Sequence, residues 1–357
     1  MPGFIGVHLG AGDHAESLVK EYTKLSNKAC KKAFLMLESG ASAVNACTEA
    51  IMILEDSPLT NAGLGSNCTW DGDVECDASV MDGHSLQQGA VGAVSGVKNP
   101  VCLARNLCME RSERLSMGLI PPSMLVGDSA RAHAAKVGVE LVPPEALVTA
   151  EQQRRYNKYK RRVTIAPEDQ MEDTGAEWEP ARLDTVGAVC VDFQGHVAAA
   201  CSSGGIMLKS KGRVGQAGIP GFGCWAQDAR GDIDAVAVSS SGCGEQLIRT
   251  FLVKETATML EESICAVRGL KDALKLKYLE SPLSLKEEEK LAGLIILKYN
   301  PLKDIGEFIW GHTTKTMCVG LMSTAYSHPM SRVSLNTKPG EIAKVEGTAF
   351  KCRGKFN

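Results

Sequence analysis

The chain has 357 residues, 44% of them apolar and 23% charged, with a formal net charge of -3. That balance fits one large or two ordinary globular domains with a sizeable core, and gives no global electrostatic reason to expect a nucleic-acid partner. The thirteen cysteines are scattered without a CxxC pair or zinc spacing, and neither a signal peptide nor a membrane-length apolar run is legible, so a soluble intracellular protein with reduced thiols is expected.

Residues 4–8 read as a first strand running into His8-Leu9-Gly10-Ala11-Gly12, whose glycines permit a close approach or a positive φ. Two amphipathic helices follow. The first covers roughly residues 16–38 with Gly40 after its end, and the second starts behind Ser42 as N-cap and is ended by Pro58. The glycine-rich loop Asn61-Ala62-Gly63-Leu64-Gly65-Ser66 has no strand closely before it and no lysine after it, so it fits neither a dinucleotide fingerprint nor a phosphate loop. Asp71-Gly72 and Asp82-Gly83 are hairpin signals between short strands. Glu75, Asp77 and Asp82 lack the spacing of a calcium loop and read as solvated or structurally bonded carboxylates. Asn99-Pro100 opens another helix, and a strand at 123–127 and a helix at 129–137 complete the first half.

Residues from about 143 to 183 read as neither helix nor strand, and a loop of that length is normally functional or disordered. Within it, residues 154–162 hold six cations in nine positions. They fit a solvated helical face, an RNA-contacting arm or a nuclear-import signal. Beyond this segment, Val186–Val191 is a continuous apolar run suited to a strand buried on both faces. Asp192-Phe193-Gln194-Gly195 turns the chain into a second strand at 196–201. Thr185 therefore starts a buried strand directly after a polar segment. If the chain were cut there, Thr185 would carry both a hydroxyl nucleophile and an α-amine able to act as its base. Ser202-Ser203-Gly204-Gly205, then Gly212-Arg213-Val214-Gly215, then Ser240-Ser241-Gly242-Cys243-Gly244-Glu245 supply hydroxyls, a cation and bare backbone N–H groups. The last follows a strand at 235–239 and opens a helix at about 246–260, as an oxyanion hole would require.

Thr185-Val-Gly-Ala-Val together with these three loops resembles the type 2 asparaginase family of N-terminal nucleophile hydrolases. His8-x-Gly10-Ala11-Gly12, Asn61-Ala62-Gly63-x-Gly65-Ser66 and Ser79-x-Met81-Asp82-Gly83 agree in order and spacing over nearly the whole chain. The resemblance implies an α+β fold, a four-layer αββα sandwich. It also implies a single domain that cuts itself between Asp184 and Thr185, giving an α chain 1–184 and a β chain 185–357 that assemble as αβ or (αβ)2. By resemblance Thr185 is the nucleophile, Ser203 a second hydroxyl beside it, and Ser241 with the Gly242 N–H the oxyanion hole. Arg213 binds the substrate carboxylate, and Gly10 packs against the scissile peptide. No cofactor and no catalytic metal are implied, although some members hold a structural sodium ion.

Two departures from the family's amidases point to its endopeptidase branch, the threonine aspartases. The residue before the nucleophile is Asp184 rather than glycine, and Gln216 stands where amidases place the aspartate that pairs with the free α-amino group of asparagine. An internal aspartate has no such charge, so a buried carboxylate would be left unpaired. Hydrolysis after aspartate in nuclear regulators is thus implied, with trithorax-type methyltransferases and transcription factor IIA as substrates and residence in nucleus and cytoplasm. The nuclear-import machinery would be a further partner; no nucleic acid and no membrane are expected. The competing expectations are an L-asparaginase or isoaspartyl dipeptidase, and a catalytically silent binding protein of the same fold.

Overall fold

The computed structural model describes residues 3–110, 115–165, 185–284 and 286–352. The chain begins with β1 (Phe4–Gly12), α1 (Val19–Glu38) and α2 (Ala43–Glu55), then β2 (Cys76–Asp82), β3 (Gln88–Val94), α3 (Pro100–Glu110), β4 (Met124–Val126), α4 (Gly127–Lys136) and α5 (Ala150–Ile165). After Thr185 come β5 (Val186–Val191), β6 (Val197–Ser203), β7 (Cys224–Gln227), β8 (Ala235–Gly242), α6 (Gly244–Arg249), α7 (Leu252–Glu262) and α8 (Ala266–Asp272). Five strands close the chain: β9 (Ala292–Asn300), β10 (Ile305–His312), β11 (Thr316–Ser323), β12 (Met330–Leu335) and β13 (Lys344–Phe350).

Two sheets result. The larger has the order β12-β11-β1-β5-β6-β2-β3-β4 and the smaller β13-β10-β9-β8-β7. Strand alternation stacks them. Val186, Ala188 and Cys190 of β5 point with Ile5 and Val7 toward α1 and α2, whereas Val189 and Val191 point with Phe4 toward Ala235, Ala237, Ile295 and Leu297 of the second sheet. The other face of that sheet, through Val236, Val238 and Ile296, packs on Leu252, Val253, Leu260 and Leu270 of α7 and α8. Three apolar interfaces therefore separate four layers, helix, sheet, sheet and helix, which is the sandwich expected. β5 is buried along its whole length, as its unbroken apolar run requires.

Two predicted helix boundaries hold. Ser42 caps α2 by accepting the Asn45 N–H at 3.4 Å, and Gly40 takes φ +90 just beyond α1. Elsewhere the structure corrects the expectation. Residues 246–260 form two helices because Phe251 lies in the left-handed region at φ 54 between them. Residues 150–165 lie in the stretch that read as neither helix nor strand, with a solvated helical face as one option for 154–162; they form α5. Its buried face is Gln152, Tyr156 and Tyr159, at helical spacing, and its arginines and lysines line the rest. Tyr156 donates to the Trp70 carbonyl at 3.0 Å, and Gln152 donates to the Gly65 carbonyl at 2.5 Å, so the basic helix is docked beside the glycine-rich loop. All thirteen cysteines are free thiols. Among the described residues no helix is long and apolar enough to cross a membrane.

Candidate active site

Thr185 precedes β5 by one residue and is buried. Pairing of Val186 with Ser202 across the sheet brings the end of β6 beside it, so that the Thr185 hydroxyl donates to Ser203 Oγ at 3.0 Å. Ser203 Oγ also accepts the Gly205 N–H at 3.0 Å. On the other side the Gln216 amide donates to Thr185 Oγ1 at 3.4 Å. The nucleophile candidate is thus held by one serine and one neutral amide, with its proton already directed to an oxygen.

The Asn61 loop explains itself as a brace for this corner. Gly204 donates to the Asn61 carbonyl at 2.7 Å, and the Asn61 and Asn67 side-chain amides both donate to the Gly205 carbonyl at 2.8 Å. A Cβ on Gly204 would lie 2.4 Å from Ser66 Cβ and 2.6 Å from Asn61 Oδ1, so the approach needs glycine. Asp77 braces the neighbouring loop. Its two oxygens accept the Ala93 N–H at 2.8 Å and the Gly215 N–H at 2.9 Å, one residue before Gln216. Burial pushes this carboxyl above the usual carboxylate range, while Lys209 and the two amides pull it back. Glu75 accepts the Gly212 N–H at 2.9 Å, and Asp82 holds its own turn through His84 and Ser85. The three carboxylates are structurally bonded, as expected.

Arg213 lies over the same corner, its Nη1 3.0 Å from where a Cβ on Gly205 would sit and its Nη2 2.9 Å from that on Gly244. Its fork is occupied: Nε donates to Glu245 Oε1 at 2.7 Å and Nη2 to the same oxygen. Partial burial raises the Glu245 carboxyl, but the hydrogen bond and charge of Arg213 outweigh it and hold the group below its ordinary value. Sequence reasoning placed Arg213 as a free carboxylate receptor and left Glu245 without a role. The helix-opening position of Glu245 was the only available hint.

Ser241 ends β8, and its Oγ accepts the Ala11 N–H at 2.9 Å. This bond ties the bulged end of β1, where Gly10 takes φ 114, to the proposed oxyanion segment. Gly242 takes φ 132, and a Cβ there would meet the Leu291 carbonyl oxygen at 2.2 Å. The site therefore gathers Thr185, Ser203, Arg213 and Gln216 into one corner, with Gly10, Ser241 and Gly242 joined through β1 and β8. Asp184 lies outside the described residues. Missed as a site neighbour was His8, quoted only as part of a motif. Its Nε2 sits 3.1 Å from Ser239 Oγ under β5, and a Cβ on Gly187 would lie 2.1 Å from it. Burial lowers the His8 pKa to about 3 against the opposing pull of the Thr185 backbone, so the ring is neutral.

A family model described as Asparaginase, of the type 2 family, matches residues 1–330. The chain is 38% identical over 263 residues to the isoaspartyl peptidase of Salmonella typhimurium, covering 72% of this chain and 78% of that one. It is 36% identical to an isoaspartyl peptidase/L-asparaginase of Xenopus laevis, over 71% of this chain and 74% of the relative. With the protein of that name in Homo sapiens it shares 35% identity over 290 residues, 81% of this chain and 84% of the relative.

Proposed function

The chain belongs to the type 2 asparaginase family of N-terminal nucleophile hydrolases, and we propose that within it this protein is a self-processing threonine endopeptidase that hydrolyses peptide bonds after aspartate. The Thr185 hydroxyl, held by its hydrogen bond to Ser203 Oγ, attacks the Asp184 carbonyl; the Asp184–Thr185 C–N bond breaks as the ester forms, and the hydroxyl proton ends on the freed Thr185 α-amine. The resulting ester is hydrolysed by water, and residues 1–184 and 185–357 separate. The freed α-amine, ordinarily of pKa about 8, then serves as the base for each turnover, so only a small depression suits it to neutral pH. In turnover Thr185 Oγ1 forms an ester with the aspartyl carbonyl, the amine product leaves with a proton, and water restores the hydroxyl.

One observation carries the endopeptidase assignment: a neutral, buried Gln216 reaches the nucleophile where an amidase would place a carboxylate. The carboxylates nearby are committed elsewhere, Asp77 to two backbone amides and Glu245 to Arg213. A substrate's free α-ammonium would therefore find no unengaged counter-charge here among the described residues, and burying it unpaired is costly. An internal aspartate brings no such charge. The exposed cations of α5 are read as a nuclear-import signal, and the protein substrates as nuclear regulators of the trithorax and transcription factor IIA kinds.

The names of the relatives favour a second reading, an isoaspartyl peptidase or L-asparaginase. Processed enzyme given L-asparagine, a β-aspartyl dipeptide and a longer peptide with an internal aspartate distinguishes the two. The endopeptidase cuts only the last, and Gln216→Asp shifts activity toward substrates with a free α-amino group. Turnover of L-asparagine or the dipeptide in preference to the internal peptide would overturn the proposal in favour of the relatives' activity.

A further inference from the structure

At the far end of the large sheet from Thr185, three turns bring together the side chains of His84, His196 and Asp228. His84 lies in the β2–β3 turn, His196 in the β5–β6 turn, and Asp228 directly follows β7. Their nitrogen and oxygen ligand atoms all lie within 4.8 Å of one another. One carboxylate oxygen, Asp228 Oδ2, faces both rings, 2.7 Å from His196 Nδ1 and 3.3 Å from His84 Nδ1. The rings themselves are 4.0 Å apart between centroids and tilted by 48°. We propose that these three side chains form a binding site for one divalent transition-metal ion, Zn2+ by the chemistry of the ligands.

Two imidazoles and a carboxylate are a borderline donor set that suits Zn2+ and other late first-row ions rather than Ca2+ or Mg2+, which take oxygen. Zinc bonds of about 2.0–2.1 Å in a tetrahedron hold ligand atoms roughly 3.3–3.4 Å apart. The His84 to Asp228 spacing already matches. The His196 contact has to open by well under an ångström as the ion replaces the shared proton. A fourth position is left for water, since His84 is 64% exposed while Asp228 is only 17% exposed.

The Asp228 carboxylate and the three turns are held in place before any ion arrives. Asp228 Oδ1 accepts the Val197 N–H at 2.8 Å, which aims Oδ2 at the two rings. The Asp228 N–H donates to the Gly83 carbonyl at 3.0 Å and the Gly83 N–H to the Val197 carbonyl at 2.8 Å, so the three turns are tied through their backbones. Outer contacts of this kind are what orient metal ligands and set affinity. Because β6 runs from Val197 to Ser203, the site lies six strand steps, roughly 20 Å, from the hydroxyl beside Thr185. The ion would accordingly be structural. His84 precedes residue 185 and the other two ligands follow it, so the ion would also clip the two fragments to each other. That consequence rests on the cleavage proposed above, whereas binding does not.

Purified native protein, Thr185→Ala, His84→Ala and His196→Ala are stripped with chelator and titrated with Zn2+ against a chromophoric competitor. One ion per chain is expected in the native protein and equally in Thr185→Ala, with at least about a tenfold loss of affinity in each histidine variant. Co2+ in the same site should give d–d bands without the sulfur-to-metal charge transfer that a thiolate would add. Zn2+ should raise the Tm of the native protein and leave that of His84→Ala unmoved; His84 is exposed, so its loss does not threaten folding. Absence of stoichiometric binding, unchanged affinity in both histidine variants, or a thiolate charge-transfer band would overturn the site. Loss of cleavage in Thr185→Ala with binding intact would leave it standing.

Discussion

Arg213→Ala tests whether the guanidinium reads the aspartate at the cleavage position. The Arg213 side chain is 16% exposed and its partner Glu245 is 50% exposed. A substrate carboxylate therefore does not enter an empty receptor; it exchanges with Glu245 or shares the fork with it. Hydrogen bonds to a charged group are worth about 1.5–3 kcal/mol, and an exposed pair such as the one surrendered about 0.2–1 kcal/mol. The difference, about 0.5–2.8 kcal/mol, corresponds to a fall in kcat/KM of roughly 2- to 100-fold. Arg213→Lys should fall between native and Arg213→Ala, since lysine supplies the charge without the two-pronged geometry. Glu245→Gln removes the competitor's charge while keeping an acceptor, so KM should drop by up to about fivefold, with kcat unchanged. The assay uses two peptides that differ only in Asp or Asn at the position before the cut, on processed native enzyme and each variant. If native enzyme cleaves both equally, or if Arg213→Ala keeps the preference for Asp, Arg213 is not the reader and the exchange with Glu245 has no part in specificity.

Thr185→Ala should remain a single chain on a denaturing gel and be inactive, whereas native protein resolves into 1–184 and 185–357; the same two fragments from the purified variant would exclude self-cleavage. Burial raises the Glu55 pKa to about 8, with Ser202 and the Val101 N–H pulling partly back, against about 4.3 for an unfolded glutamate. The unfolded chain thus loses this proton first, so stability falls as pH rises from about 4.5 through 8. Glu55→Gln should flatten that part of the Tm–pH profile, and parallel native and variant profiles would contradict it. Replacing Arg154, Lys158, Arg161 and Arg162 with alanine, while keeping Lys160, which donates to the Trp70 carbonyl at 2.8 Å, should move a fluorescent fusion toward the cytoplasm without changing purified activity. Unaltered nuclear accumulation would leave the run as a solvated face.

The legible parts of the chain are those where one physical requirement dominates the residue choice. β5 could be bounded to the residue because a strand buried on both faces must be apolar throughout, and the start of α2 because a serine caps it, while its end at Glu55 falls three residues short of Pro58. The corner around Thr185 was legible for a related reason. Backbones that approach as closely as Gly204 to Asn61, or that turn as Gly242 does, exclude every Cβ, and those exclusions persist in sequence as glycine motifs. α5 was missed because the face it buries is Gln152, Tyr156 and Tyr159, polar enough at their tips that the helical period is hidden under six cations. The Arg213–Glu245 pair and the position of His8 were not legible, since both are contacts between segments distant in sequence with no local signature.

On the proposed endopeptidase reading, specificity turns on which charges are left unanswered. Arg213 has Glu245, and Asp77 has two amides, so the corner is electrically closed before a substrate arrives. An incoming aspartate adds one carboxylate and displaces one, a near-neutral exchange in which the displaced Glu245 is already half in water. An incoming free asparagine adds a carboxylate and an ammonium; the first takes Arg213, and the second is left with the displaced Glu245, which is half in water. Gln216 can offer the ammonium a carbonyl oxygen but no charge. A substrate with a free α-amino group thus gains no buried counter-charge from position 216. That asymmetry follows from one neutral side chain at position 216, which is why Gln216→Asp is expected to move the substrate range.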